Sequence, residues 1–273
     1  MACVICGSES FQFLFEKNNH RIERCSVCDL VQVTNMPALE KRGEGKDYYG
    51  DYYKDAVSKC EKSFDDMGIN QKKQQYVYLN FNNKLDQIEK GIRKKGKLLD
   101  VGCAFGFFMD VARQRGWTVA GIEISEYAAR YAARQLGLSV TNKTITEAIF
   151  EKKSFDVITM WYVIEHLPNP KQVLRHLSNF LKDEGMLVIS TPNVDSYRAR
   201  IQGKKWRCWI PPEHLSYFSP ETMRNLLKKC ELGIINQETA LPYEKYFRKI
   251  KLYSVLNKLK LSDNVLYYVK KVE

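Results

Sequence analysis

Apolar residues in this chain fall into short runs, separated by stretches in which they recur at helical spacing. Residues 97–101, 118–123, 138–141, 155–161, 185–191 and 233–241 read as strands, several of them apolar throughout, as strands covered on both faces are. Residues 106–115, 125–136, 170–182 and 220–230 read as helices between them, and a further helix runs from Asn70 to about Lys95. Ser125 is placed to cap one helix and Gly137 to end it. Regular strand–helix alternation predicts an α/β fold, a doubly wound, Rossmann-like sheet with parallel strands. The N-terminus differs. Phe11–Phe15 and His20–Arg24 flank Lys17-Asn18-Asn19 and predict a hairpin.

The turn after the first core strand carries the most information. Lys97-Leu-Leu-Asp-Val-Gly-Cys-Ala-Phe-Gly106 runs from a strand into a glycine turn and a helix, and Thr118–Glu123 forms a second strand that ends on an acid. Glu123 lies about 20 residues beyond Gly102, the distance at which a βαβ unit places a carboxylate on ribose hydroxyls. The spacing is Gly102-x-x-x-Gly106, without the three glycines that serve a pyrophosphate, and no P-loop motif occurs. A nucleoside without phosphates fits this turn better. Ala104 occupies a position where glycine is common, and its methyl is tolerated if φ stays negative.

These residues resemble motif I of class I S-adenosylmethionine-dependent methyltransferases. The likeness continues through Ser154–Pro170, similar to the fourth strand and its loop, and Gly185–Asn193, similar to the fifth. Trp206 and Pro211–Pro220 resemble a block found in a branch that methylates sugars and polysaccharide precursors, with relatives among ubiquinone O-methyltransferases. The resemblance implies the seven-stranded methyltransferase fold, with Val265–Val269 as the last, antiparallel strand. It implies S-adenosylmethionine held by Asp100, Gly102, Cys103, Ala104, Gly106, Phe107, Glu123 and Ile124, with Thr144, Ile145 and Trp161 near the adenine or the methyl. Cys103 reads as packing, not as a nucleophile. On the acceptor side it points to His166, His214 and Tyr217. Each histidine reads either as the base that takes the acceptor's proton or as a loop histidine bonded to a carbonyl. Tyr162 stands where many relatives carry histidine.

Cysteine usage adds a metal. Cys3-x2-Cys6 and Cys25-x2-Cys28 have the paired spacing of a tetrahedral thiolate site. Four cysteines close the site, so the zinc is expected to be structural, in a ribbon too small to hold a core unaided. The expected organisation is a zinc ribbon at 1–40 and a tyrosine-rich lid and helical lead-in at 41–96. The catalytic domain follows at 97–273, with a basic insertion at about 243–261. The lid centres on Asp47–Lys54.

Charge narrows the partner. The net charge is +11, and Arg198, Arg200, Lys204, Lys205 and Arg207 cluster around Trp206. A basic surface favours an anionic partner. The reading is a small anionic or sugar-bearing acceptor, a sugar or nucleotide-linked sugar, methylated at oxygen or carbon. The alternatives are an rRNA base methyltransferase that uses the ribbon for recognition and a non-catalytic S-adenosylmethionine-binding protein. No apolar run is long enough to span a membrane, so a cytoplasmic location is expected, with peripheral contact through the basic C-terminal region left open.

Overall fold

The structure is a computed structural model that describes residues 2–35, 70–240 and 262–272. The tyrosine-rich segment Asp47–Lys54 and the basic stretch 243–261 lie outside the described residues. In chain order the strands are β1 (Phe11–Lys17), β2 (His20–Cys25), β3 (Val31–Val33), β4 (Lys97–Val101), β5 (Thr118–Ile122) and β6 (Val140–Thr141). They continue with β7 (Phe155–Trp161), β8 (Leu181–Pro192), β9 (Ser216–Tyr217), β10 (Leu232–Ala240) and β11 (Asn264–Lys271). The helices are α1 (Asn70–Lys90), α2 (Phe107–Gln114), α3 (Glu126–Leu136), α4 (Pro170–Phe180), α5 (Tyr197–Gln202) and α6 (Pro220–Lys228). None of the described helices is long and apolar enough to cross a membrane.

The main sheet has seven strands in the order β10-β11-β8-β7-β4-β5-β6. β4, β5 and β6 are parallel, and β11 runs antiparallel to both its neighbours. This is the α/β, Rossmann-like arrangement that the strand–helix alternation predicts, and the antiparallel last strand is in place. Contacts group the chain into two units: Pro37–Thr159 with Phe180–Met186, and Met1–Met36 with Met160–Asn179 and Leu187–Glu273.

The first unit holds α1–α3 and β4–β6. Ser125 Oγ accepts from the Ala128 N–H, and Gly137 ends α3 in the left-handed conformation at φ 63°, which glycine adopts at little cost. Gly106 also has a positive φ, and a Cβ there would come within 2.6 Å of Leu138 Cδ1. Its lack of a side chain lets the glycine turn lie directly on α3 and its C-terminal loop.

The second unit contains the N-terminal hairpin. Asn18 and Asn19 both have φ near +55° (51° and 60°), the conformation a two-residue turn of the primed type requires. β3 then pairs with β2, and β9 joins as a fourth strand, with Val31 opposite Tyr217 and Gln32 opposite Ser216. One buried cluster unites both parts: Phe15, Ile22, Val31 and Val33 pack with Ala199, Trp206, Cys208, Trp209 and Tyr217. The apolar face of the hairpin is thus completed by residues some 170–200 positions later in the chain, in keeping with the rule that so short a segment cannot bury a core alone.

Candidate functional site

In the first unit, chain polarity brings the ends of β4 and β5 side by side, where ligands bind in open α/β sheets. Glu123 is buried, and both its carboxylate oxygens hold backbone: Oε2 accepts from the Ala104 N–H at 2.9 Å and Oε1 from the Ser125 N–H at 2.8 Å. A carboxylate offers about four acceptor positions, so these bonds leave room for a further donor. Burial raises the pKa of Glu123, and its backbone donors oppose that rise. Ala104 departs from expectation. Its φ is +47°, a region that costs a residue with a Cβ about 1–2 kcal/mol. The turn needs left-handed backbone there, and the bond from its N–H to Glu123 offsets the strain.

Asp100 is fully enclosed and accepts from Thr159 Oγ1 at 2.6 Å. Burial pushes its pKa up to about 7, against the opposing effects of Thr159 and the Lys84 ammonium. Lys84 on α1 is itself held down to about 8 by burial. Cys103 is buried and its thiol pushed up, first by burial and then by Asp100 and Glu123, so it packs and does not attack. Gly102 follows β4 directly, Ile124 follows Glu123 beyond β5, and Phe107 opens α2. Thr144 begins the next turn, where its hydroxyl bonds Glu147 and its carbonyl accepts from Ala148, with Ile145 following it. Sequence reading missed Lys84, Thr159 and Asn142. Asn142 donates to the carbonyls of Glu123 and Ile124 at 2.9 and 3.0 Å and fixes the acid's backbone. A polar residue just beyond a short strand was the only signal for it.

Trp161 ends β7 and, like His166, His214 and Tyr217, belongs to the second unit. His166 and His214 face each other with ring centroids 4.7 Å apart and planes at 81°, and the Tyr217 ring lies 6.0 Å from His214. His166 Nδ1 bonds the Glu213 carbonyl at 2.9 Å, and His214 Nδ1 bonds the Cys208 carbonyl at 3.0 Å. A carbonyl only accepts, so each ring carries its proton on Nδ1 and presents a bare Nε2. Burial lowers the pKa of both, that of His214 to about 3 with His166 adding to the effect. Tyr217 is buried and its hydroxyl held above its ordinary pKa, chiefly by burial, so it stays protonated. Between the two histidine segments, Leu215 N–H donates to the Glu165 carbonyl at 2.8 Å. Glu165 accepts from Thr191 Oγ1 at 3.0 Å, and burial raises its pKa to about 8. Tyr162, four residues before His166, has φ +57°, backbone strain of the kind that clusters at functional sites.

Trp206, at the centre of the basic cluster, does not offer its indole to a ligand. Trp206 is wholly buried, and its Nε1 donates to Asp263 Oδ1 at 3.0 Å. Asp263 also accepts from Ser196 Oγ, and Arg198 and Arg207 each approach its Oδ2 at 3.4 Å. Local sequence gave no sign that a residue near the C-terminus would draw the tryptophan inward.

The four N-terminal cysteines converge. Sγ atoms of Cys3 and Cys28 are 3.4 Å apart and those of Cys6 and Cys25 3.5 Å, close to the roughly 3.8 Å edge of a tetrahedral zinc–thiolate site. Burial raises the Cys25 thiol, but the N–H groups of Val27 and Cys28 and the neighbouring sulfurs outweigh it and bring it down to about 7.

Comparison with known proteins settles the family. A family model described as a methyltransferase domain matches residues 71–237, and this chain belongs to that family. The chain is a class I S-adenosylmethionine-dependent methyltransferase. The methyltransferase is 31% identical over 169 residues to a ubiquinone biosynthesis O-methyltransferase of Pseudomonas fluorescens strain SBW25, an alignment covering 58% of this chain and 70% of that protein. It is 39% identical over 155 residues to the enzyme so named in P. fluorescens strain Pf-5, covering 53% and 64%. Among solved structures it resembles an S-adenosylmethionine-dependent methyltransferase from Archaeoglobus fulgidus (TM-score 0.55, 20% identity, 71% and 94% covered). It also resembles a geranyl diphosphate C-methyltransferase from Streptomyces coelicolor (TM-score 0.52, 19% identity, 70% and 77% covered). At these identities the structural likeness establishes the fold. The residues at the ends of β4 and β5 suit the cofactor: a carboxylate with acceptor positions to spare and a turn lying against α3.

Proposed function

We propose that this methyltransferase methylates a small anionic or sugar-bearing acceptor, at oxygen in the first instance. S-adenosylmethionine, held by Asp100, the Gly102–Gly106 turn, Glu123 and Ile124, supplies an electrophilic methyl on a sulfonium. Thr144, Ile145 and Trp161 belong to the same proposed set. The observation that carries the acceptor side is the pairing of His166 with His214, two neutral imidazoles with bare Nε2 atoms. These accept a hydrogen bond from the attacking hydroxyl and aim its oxygen. An imidazole held down to about 3 orients a hydroxyl better than it deprotonates one, because base efficiency is greatest when the pKa is near the working pH. Tyr217, held protonated, can donate a hydrogen bond but cannot serve as the base. Arg198 and Arg207, positioned by Asp263 and partly exposed, favour an anionic group on the acceptor. The names of the Pseudomonas relatives favour oxygen as the atom methylated.

The cysteine cluster is proposed as one structural zinc site formed by Cys3, Cys6, Cys25 and Cys28, with every coordination position taken by protein. The acceptor proposal is tested by assaying methyl transfer to nucleotide sugars and to rRNA fragments, with His214→Ala as control. Turnover on a sugar nucleotide that falls at least 100-fold in His214→Ala is expected. Turnover on RNA alone, with steep salt dependence, would replace this acceptor with a nucleic acid.

A further inference from the structure

Beyond the cysteine cluster, the described residues bring together a second set of metal-ligating side chains. One donor atom each from Glu165, His166 and His214 lies within 4.8 Å of the other two. Three features of these groups point the same way. Both imidazoles are fixed with Nδ1 on a backbone carbonyl, the outer bond that commonly orients a metal-ligating histidine and leaves Nε2 free for the ion. The Glu165 carboxylate is 1% exposed, and while its Oε2 accepts from Thr191, its Oε1 is buried with no hydrogen-bond partner among the described residues. A buried polar atom left so is costly unless something fills the place. The supports are also built in advance: Leu215 N–H to the Glu165 carbonyl and His166 Nδ1 to the Glu213 carbonyl tie the Ile164–His166 turn to the segment carrying His214. The donors therefore sit in register before any ligand arrives.

We propose that Glu165, His166 and His214 form a binding site for one divalent transition-metal ion, separate from the cysteine site. Two neutral nitrogens and one carboxylate oxygen suit zinc, manganese or iron(II) better than magnesium or calcium, which prefer all-oxygen shells. Three protein ligands leave coordination positions open, as in catalytic rather than structural sites. The inference rests on the reading that this cluster faces the acceptor. The acceptor's oxygen then binds the ion, which takes the place of a direct hydrogen bond to the imidazoles. The charge of the ion lowers the pKa of the bound hydroxyl. Acceptors able to chelate through two adjacent oxygens, such as a vicinal diol or a diphosphate, are favoured.

The test uses the full chain purified without chelator. It is titrated with Zn²⁺ by calorimetry and with Co²⁺ by absorption, and bound metal is counted by elemental analysis. Two ions per chain are expected. The cysteine-bound cobalt shows the intense thiolate-to-metal band, and the second adds absorbance without it. Glu165→Gln and His214→Asn should each weaken the second ion at least tenfold, with the first ion and S-adenosylmethionine affinity kept as evidence of folding. Saturation at one ion, or a second ion indifferent to both substitutions, would overturn the site. Methyl transfer by a chain that saturates at one ion would remove the ion and leave the acceptor reading standing. Two ions with no transfer to any acceptor would support the site and count against that reading.

Discussion

The two units of this methyltransferase are built by different means. At the cofactor turn, most contacts join adjoining elements of one stretch of chain: Glu123 holds Ala104 and Ser125, Asn142 holds Glu123 and Ile124, and Gly106 rests on Ala132 and Leu138, with the bond from Thr159 to Asp100 reaching furthest. In the other unit the contacts span the chain. Phe15 packs on Trp209, Val31 pairs with Tyr217, Asn18 donates to the Pro211 carbonyl, and Trp206 reaches Asp263. A short-range site is specified by a motif of a few residues. A long-range one depends on the folding of parts far apart in sequence, so it can be disturbed from a distance.

The sharpest way to break the comparison is to remove the metal expected at the cysteines. Apparent binding energies of structural zinc are about 10–16 kcal/mol, far more than so small a ribbon can replace. Because β3 pairs with β9, its loss should also free the strand carrying Tyr217 and open the cluster around Trp206 and Trp209. Cys25→Ser, or chelation, is expected to shift tryptophan emission to the red and abolish methyl transfer. S-adenosylmethionine affinity should stay within a few-fold. Equal loss of both functions would show that the two units do not differ in this way.

A smaller effect distinguishes the cofactor unit by pH. Asp100 is raised from 3.8 to about 7 by burial, so the folded state keeps a proton that the unfolded chain has released. Its contribution to stability is complete below pH 3.8 and is lost as pH rises through about 7. For a group so enclosed, a shift of this size is on the order of 4 kcal/mol. Urea unfolding of the cofactor-free protein from pH 5 to 8 should show that decline, and Asp100→Asn should flatten it. An unchanged slope in the variant would place the titrating group elsewhere.

The cofactor unit was the more legible one for a physical reason. The Ser125 cap and the Asn18–Asn19 turn act on their immediate neighbours, and the glycines and the acid at the end of β5 announce themselves by spacing within one strand–turn–helix–strand unit, as the cysteines do by their paired spacing. What sequence left hidden was set by contact. β9 is two residues long and has no periodicity to read. Asp263 shows nothing of its role until Ser196, Arg198, Trp206 and Arg207 close on it. Thr159 looks like one more buried strand residue until it meets Asp100. The positive φ of Ala104 follows from the geometry of the turn against the preference of the residue, which is where local reasoning fails. Ala104→Gly removes that strain but adds freedom to the unfolded chain, so a net gain of about 1 kcal/mol or less in unfolding free energy is expected. A clear loss would show that the methyl makes a contact worth more than the strain.

The division of labour is tested most directly by titrating S-adenosylmethionine into the wild type, Glu123→Ala and His214→Ala by calorimetry. Removing the Glu123 carboxylate deletes charge-assisted hydrogen bonds, and affinity should fall by roughly 1.5–3 kcal/mol, whereas His214→Ala should bind as the wild type does. Wild-type affinity in Glu123→Ala, or an equal loss in His214→Ala, would contradict the account.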